Sequence, residues 1–162
     1  MLMKEILVGK LLEYVRDNNP DILFALEAED KLSVWLSSKA DSVESLWKQM
    51  EADKQPAYII EETCLNEFTR ELRPSRYNYI LNLLEQEFEN DYTILVKSGV
   101  LQHEVVNMIG YCDSVFNDLK FSDENEDNHF IRYAICGAIS EYLDSNRVNE
   151  NVSNELQQSA ET

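Results

Sequence analysis

Asp123, Asn125 and Asp127 stand at alternate positions of an acidic stretch. That is the spacing of the first three oxygen ligands in a calcium-binding EF-hand loop. The match then breaks twice: the sixth position, where a sharp turn demands glycine, is Asn128, and the twelfth, where a bidentate glutamate belongs, is Ala134. The three residues are cation-site candidates, and the same stretch also reads as a solvated connector whose Asp127 or Asn128 caps the next helix. Arg70, Arg73 and Arg76 are the densest basic cluster on an otherwise acidic chain. At a helical corner they are anion-site candidates, helped by the start of a helix near Ser75. The simpler reading is that Arg70 and Arg73 complement the end of the preceding helix and pair with Glu67, Glu71 or Glu87.

Soft-metal ligands are few: His103, His129, Cys64, Cys112 and Cys136. They form no CxxC, CxxH or HExxH. His129 and Cys136 lie seven residues apart and can share a helix face, but two ligands do not define a zinc site. Glu126-x-x-His129 satisfies the di-iron Glu-x-x-His spacing once, and the second copy such a centre needs is missing. No nucleophile elbow, phosphate loop or dinucleotide fingerprint occurs, and only four glycines are present to build one. The expectation is therefore no catalytic constellation, no metal and no cofactor. An enzyme assembled from Glu, His or Cys on separate helices would require a pocket with converging polar groups.

The elements that would position these residues are helical. The organising stretch is residues 55–90, where runs at 56–72 and 76–88 meet at Arg73-Pro74-Ser75 and read as an antiparallel helical hairpin. Its stripes are Tyr58, Leu65, Phe68 and Leu72, then Tyr77, Ile80, Leu84 and Phe88. Before it come a helix over 2–18 stopped by Asn18-Asn19-Pro20, a short turn at 21–26 whose Phe24 plugs the core, and a long helix over 29–53. Ala40-Asp41-Ser42 is a point where that helix could break. After the hairpin, 92–96 is helix or extended and Gly99 ends it. A helix over 101–119 follows, with Gly110 marking reduced stability or a close approach. The next, over 129–146, carries a stripe two residues wide, Phe130/Ile131 through Tyr142/Leu143. The predicted fold is all-α, an irregular bundle of five to six helices around the hairpin. Residues 1–146 form a single domain and 147–162 a polar flexible tail, in which Val148, Val152 and Leu156 make too thin a stripe to hold a helix alone.

A length of 162 residues can bury roughly 70% of the surface the unfolded chain exposes. The formal charge is −17, from 31 acidic against 14 basic residues, which disfavours direct binding to a nucleic-acid backbone. Three widely spaced cysteines set up no disulfide framework and suit reduced thiols in a cytoplasmic protein. The first fifteen residues lack the apolar core of a signal peptide, and no run reaches membrane-spanning length. Trp35, Trp47 and the eight tyrosines read mostly as core; any left exposed together would mark a protein-binding surface.

Leu11-Leu12-Glu13-Tyr14-Val15-Arg16 leading to Asn19-Pro20-Asp21, Ser75-Arg76-Tyr77 through Leu83-Leu84-Glu85-Gln86-Glu87-Phe88, Cys112-Asp113-Ser114-Val115-Phe116 before Phe121-Ser122-Asp123, and Ala138-Ile139-Ser140-Glu141-Tyr142-Leu143 together carry a resemblance. In this order they resemble a family of small acidic all-α proteins from Bacteroidetes, encoded within or near conjugative elements and catalogued as a domain of unknown function. The resemblance implies an all-α fold and a bacterial cytoplasmic setting, and it transfers no ligand or catalytic residue. The functional expectation is a non-enzymatic accessory or adaptor protein with a protein partner, its binding face sought on the 29–53 helix. The alternative is a DNA mimic whose carboxylates imitate phosphates and occupy a basic nucleic-acid-binding protein. Oligomeric state is open.

Overall fold

A computed structural model describes residues 2–160, with side chains through Arg147. Among the described residues there are ten α-helices, one 3-10 turn and no strand. In chain order they are α1 Leu2–Asn18, α2 Pro20–Ala28, α3 Leu32–Ser42, α4 Glu44–Ala52, α5 Ala57–Phe68, the 3-10 turn Arg70–Leu72, α6 Arg76–Glu87, α7 Glu89–Ser98, α8 Leu101–Tyr111, α9 Asp113–Asp118 and α10 His129–Ala160. The all-α class stands. The count of five to six does not, because two long periodic segments each bend once and two short segments are helical in their own right. No helix among the described residues is long and apolar enough to cross a membrane.

Two compact units make up the chain, residues 1–79 and 80–162, and the boundary runs through α6 after Tyr79. In the first unit α1 packs on α2, α3 and α5, and α4 packs on α5. Leu7, Leu11 and Val15 of α1 are fully buried, joined by Leu23, Leu36, Val43, Trp47, Ile60, Cys64 and Phe68. The 29–53 segment bends at Val43, whose φ of −107° and ψ of 9° serve as the end of α3 and the start of α4. The bend lets one apolar stripe meet two sets of neighbours: α3 lies on α1 and α2, α4 on α5. Its Leu36, Ala40, Val43 and Trp47 are buried, so this stripe belongs to the core, while Val34 on the same segment is 73% exposed.

Residues 21–26 are also corrected. Pro20 opens α2 at a position where its missing N–H costs nothing, and Leu23 enters the core while Phe24 stays 40% exposed. On α5 the buried line is Ile60, Cys64 and Phe68, with Tyr58 outside. A polar knot ties the α1–α2 corner to the start of α6. Ser75 Oγ donates to Asn18 O and accepts from Asn78 N at 3.0 Å, and Asn78 Nδ2 donates to Asn18 Oδ1 at 3.0 Å. Ser75 is thus the N-cap of α6, satisfying a first-turn donor.

The second unit buries Ile80, Leu83 and Leu84 of α6, Val105, Met108 and Ile109 of α8, Phe116 of α9, and Ile131, Ile135, Ile139 and Leu143 of α10. The 101–119 segment bends at Cys112, with φ −90° and ψ 1°, where α8 passes to α9. α8 packs on α7 and α10, and α9 on α10. Gly110 is exposed, and a Cβ built there meets nothing within 4 Å, so it marks no close approach. The undecided 92–96 stretch is helix α7, closed by Gly99 at φ 73°. α10 continues to Ala160 where a flexible tail is expected at 147–162; residues 161–162 and the side chains beyond Arg147 lie outside the described residues.

Candidate functional site

The connector between α9 and α10 is built by asparagines. Lys120 turns the chain at φ 53°, and Phe121 returns a hydrogen bond to Phe116 O at 3.0 Å while its ring meets the Phe116 ring edge-on at 4.9 Å. Asn125 Oδ1 accepts from Ser122 N at 2.7 Å, and its Nδ2 donates to Lys120 O at 2.9 Å and Leu119 O at 3.3 Å. Asn128 Oδ1 accepts from Phe130 N at 2.8 Å and Ile131 N at 3.3 Å, which caps α10.

Of the three cation candidates, Asn125 therefore has its amide committed to the loop's own backbone. Asp123 and Asp127 point to solvent, as does Glu124. Among the described residues no group of three or more His, Cys, Asp or Glu converges. The loop presents a spread of negative charge at the entry to α10.

Just beyond it, α10 divides the wide stripe expected from the sequence into two columns. Ile131, Ile135, Ile139 and Leu143 are buried at intervals of four. Phe130 and Tyr133, one turn apart, are 68% and 75% exposed. Gly137 continues that line; it is exposed, and a Cβ there would meet nothing within 4 Å. On the flank, Arg132 Nη2 donates to Gln86 Oε1 and Glu87 Oε1, both at 3.0 Å, tying the start of α10 to the end of α6. The sequence pattern joins Phe130 to Ile131 in one apolar stripe. Its exposure was not legible because an aromatic residue beside a buried isoleucine column reads as part of the same stripe.

The arginines lie in the first unit and do not form one site. Arg70 pairs with Glu67 at 2.7 Å, a surface contact one turn back. Arg73 Nη2 donates to Asn66 O at 3.1 Å, satisfying a carbonyl in the last turn of α5. Arg76 faces Asp21, where its charge works against the burial that raises that carboxyl's pKa. Arg73 also lines a shallow groove with Tyr14, Glu62, Thr63 and Thr69.

Burial pushes the Cys112 thiol up to about 11 and raises Cys64 and Cys136 as well, keeping all three from acting as thiolates. His103 and His129 are exposed on separate elements. No protein-family model, curated protein or solved structure matches the chain.

Proposed function

We propose that the chain is a non-enzymatic accessory protein that holds a protein partner on the open column of α10. Phe130 and Tyr133 are the anchors, and the carboxylates of Asp123, Glu124 and Asp127 form an acidic rim. The observation that carries this reading is the exposure of two large aromatic rings one turn apart on the same helix. Burying one such ring against a partner recovers about 1.5–3 kcal/mol, and aromatic anchors dominate interface energies. The acidic setting selects a partner whose apolar pocket is rimmed by Lys and Arg. The resemblance to conjugative-element proteins suggests a cytoplasmic, DNA-handling partner for such a surface.

The test is capture from nuclease-treated cytosol by tagged wild type, Phe130→Ala/Tyr133→Ala and Gly137→Arg. Gly137→Arg adds bulk to the open column from a position where a Cβ meets nothing within 4 Å. Loss of the same partner in both variants, by more than about tenfold, supports the reading. Capture that ignores both variants and disappears in salt supports the DNA mimic in its place, because carboxylates alone would then carry the binding.

A further inference from the structure

A groove of about 670 Å³ lies in the second unit among α7, α8 and α10. Its apolar lining is Ile94, Leu95, Val100 and Leu143. Ile94 is 63% exposed and Val100 39% exposed, so these two face solvent, while Leu95 is half-buried and Leu143 buried at the floor.

The polar groups facing it are fixed in two arrangements. Tyr142 Oη donates to Glu104 Oε2 at 2.7 Å, and the Tyr142 ring is held edge-on by Tyr111 at 5.6 Å. Burial, and then the bond to Glu104, raise the Tyr142 pKa, which keeps the phenol a neutral donor. Farther along, Arg147 Nη2 lies 2.7 Å from both carboxylate oxygens of Asp91, and its Nη1 reaches Asp144 at 3.2 Å. The guanidinium is thereby neutralised. Two carboxylates, Asp91 and Glu104, and one guanidinium line the groove, and among the described residues the partner of Glu104 is the Tyr142 phenol. Uncompensated negative charge beside an open apolar wall matches one ligand chemistry, a cation carried on a short hydrocarbon chain.

We infer that this groove binds a small alkyl-ammonium ligand, with the ammonium on Glu104 and the chain along Ile94, Leu95, Val100 and Leu143. The Tyr142 hydroxyl orients the carboxylate and leaves Glu104 Oε1 to receive the ammonium protons. The Asp91–Arg147 pair closes the far side.

Amide-resolved NMR titration of the full chain with n-hexylammonium, n-hexanol and hexanoate, at matched ionic strength, tests this. The expected result is saturable shifts from hexylammonium confined to residues 91–104 and 142–147, at least about tenfold tighter than hexanol, with none from hexanoate. Glu104→Gln, which keeps an acceptor for Tyr142, weakens hexylammonium about tenfold. Glu13→Gln on α1 removes the same charge and leaves binding unchanged. Shifts scattered over the acidic surface, equal response to hexanol, or unchanged affinity in Glu104→Gln overturns the inference. The comparison of the three probes on wild type stands even if a variant fails to fold.

Discussion

Asn128 and Asp21 carry opposite lessons at the scale of single residues. Asn128 Oδ1 holds two first-turn N–H groups of α10, which otherwise have no intrahelical acceptor. Asn128→Ala is expected to cost about 1 kcal/mol in urea unfolding, whereas Asp127→Ala, at an exposed neighbour with no such bond, changes stability by less than about 0.5 kcal/mol. Asp21 is a carboxyl under strain from desolvation. Burial raises its pKa above 3.8, outweighing its own N–H, that of Ile22 and the Arg76 charge, which lower it. The native state therefore holds this proton more tightly than the unfolded state. Asp21's contribution to stability is fullest below 3.8 and is lost as pH rises through the native pKa. Asp21→Asn is accordingly expected to be more stable than wild type at pH 7, with the gap narrowing as urea midpoints are taken toward pH 3.5. A gap that widens in acid would mean that attraction to Arg76 outweighs desolvation.

At the scale of elements, what the sequence revealed and what it hid have the same cause. Helix stops written in glycine or proline were readable: Asn19-Pro20 after α1 and Gly99 after α7. Three further ends use the same Schellman geometry without glycine. Asp30, Lys54 and Lys120 sit at φ 55°, 58° and 53°, and the residue after each donates back across the last turn, Lys31 to Leu26, Gln55 to Met50 and Phe121 to Phe116. An ordinary lysine in a left-handed turn leaves no mark in a sequence. The bend at Val43 follows directly on Ala40-Asp41-Ser42, where a break was expected because Asp and Ser favour helix ends; the bend at Cys112 was invisible, since the apolar stripe runs on through it and only its neighbours change. Of the candidate site, the Asn128 cap was legible, because its donors are adjacent in sequence. The Tyr142–Glu104 and Arg147–Asp91 contacts were not, because they join residues 38 and 56 positions apart. Relief of the left-handed strain makes Lys54→Gly and Lys120→Gly each more stable by about 0.5–1 kcal/mol. Gly137→Ala, within α10 with open space at its Cβ, gains a similar amount, about 0.5–1 kcal/mol. Thermal melts of the three single variants check this; a lower midpoint in Gly137→Ala would show that α10 is not continuous helix there.

For the whole molecule, charge sets the sign of the salt response. The chain has 14 Lys and Arg against 31 Asp and Glu, so 17 carboxylates remain uncompensated even if every cation is paired. Ion pairs such as Lys4–Asp41, Lys48–Glu44 and Arg70–Glu67 are exposed on both sides and contribute little each. Screening weakens these small attractions and also the larger sum of repulsions. Raising NaCl from about 10 mM to about 0.5 M, which shortens the screening length from about 30 Å to a few ångströms, is therefore expected to raise the melting midpoint. A gain of about 1 kcal/mol would appear as a shift of about 2–4 °C for a chain of this size. Binding of a basic-rimmed partner at Asp123, Glu124 and Asp127 must respond the other way, since the same salt screens attraction across the interface. Opposite slopes, a rising midpoint and a falling association rate, separate recognition by the acidic rim from a loss of binding caused by unfolding. If midpoint and association fell together, the surface ion pairs would be holding the fold, and the excess of carboxylates would not be its dominant electrostatic term.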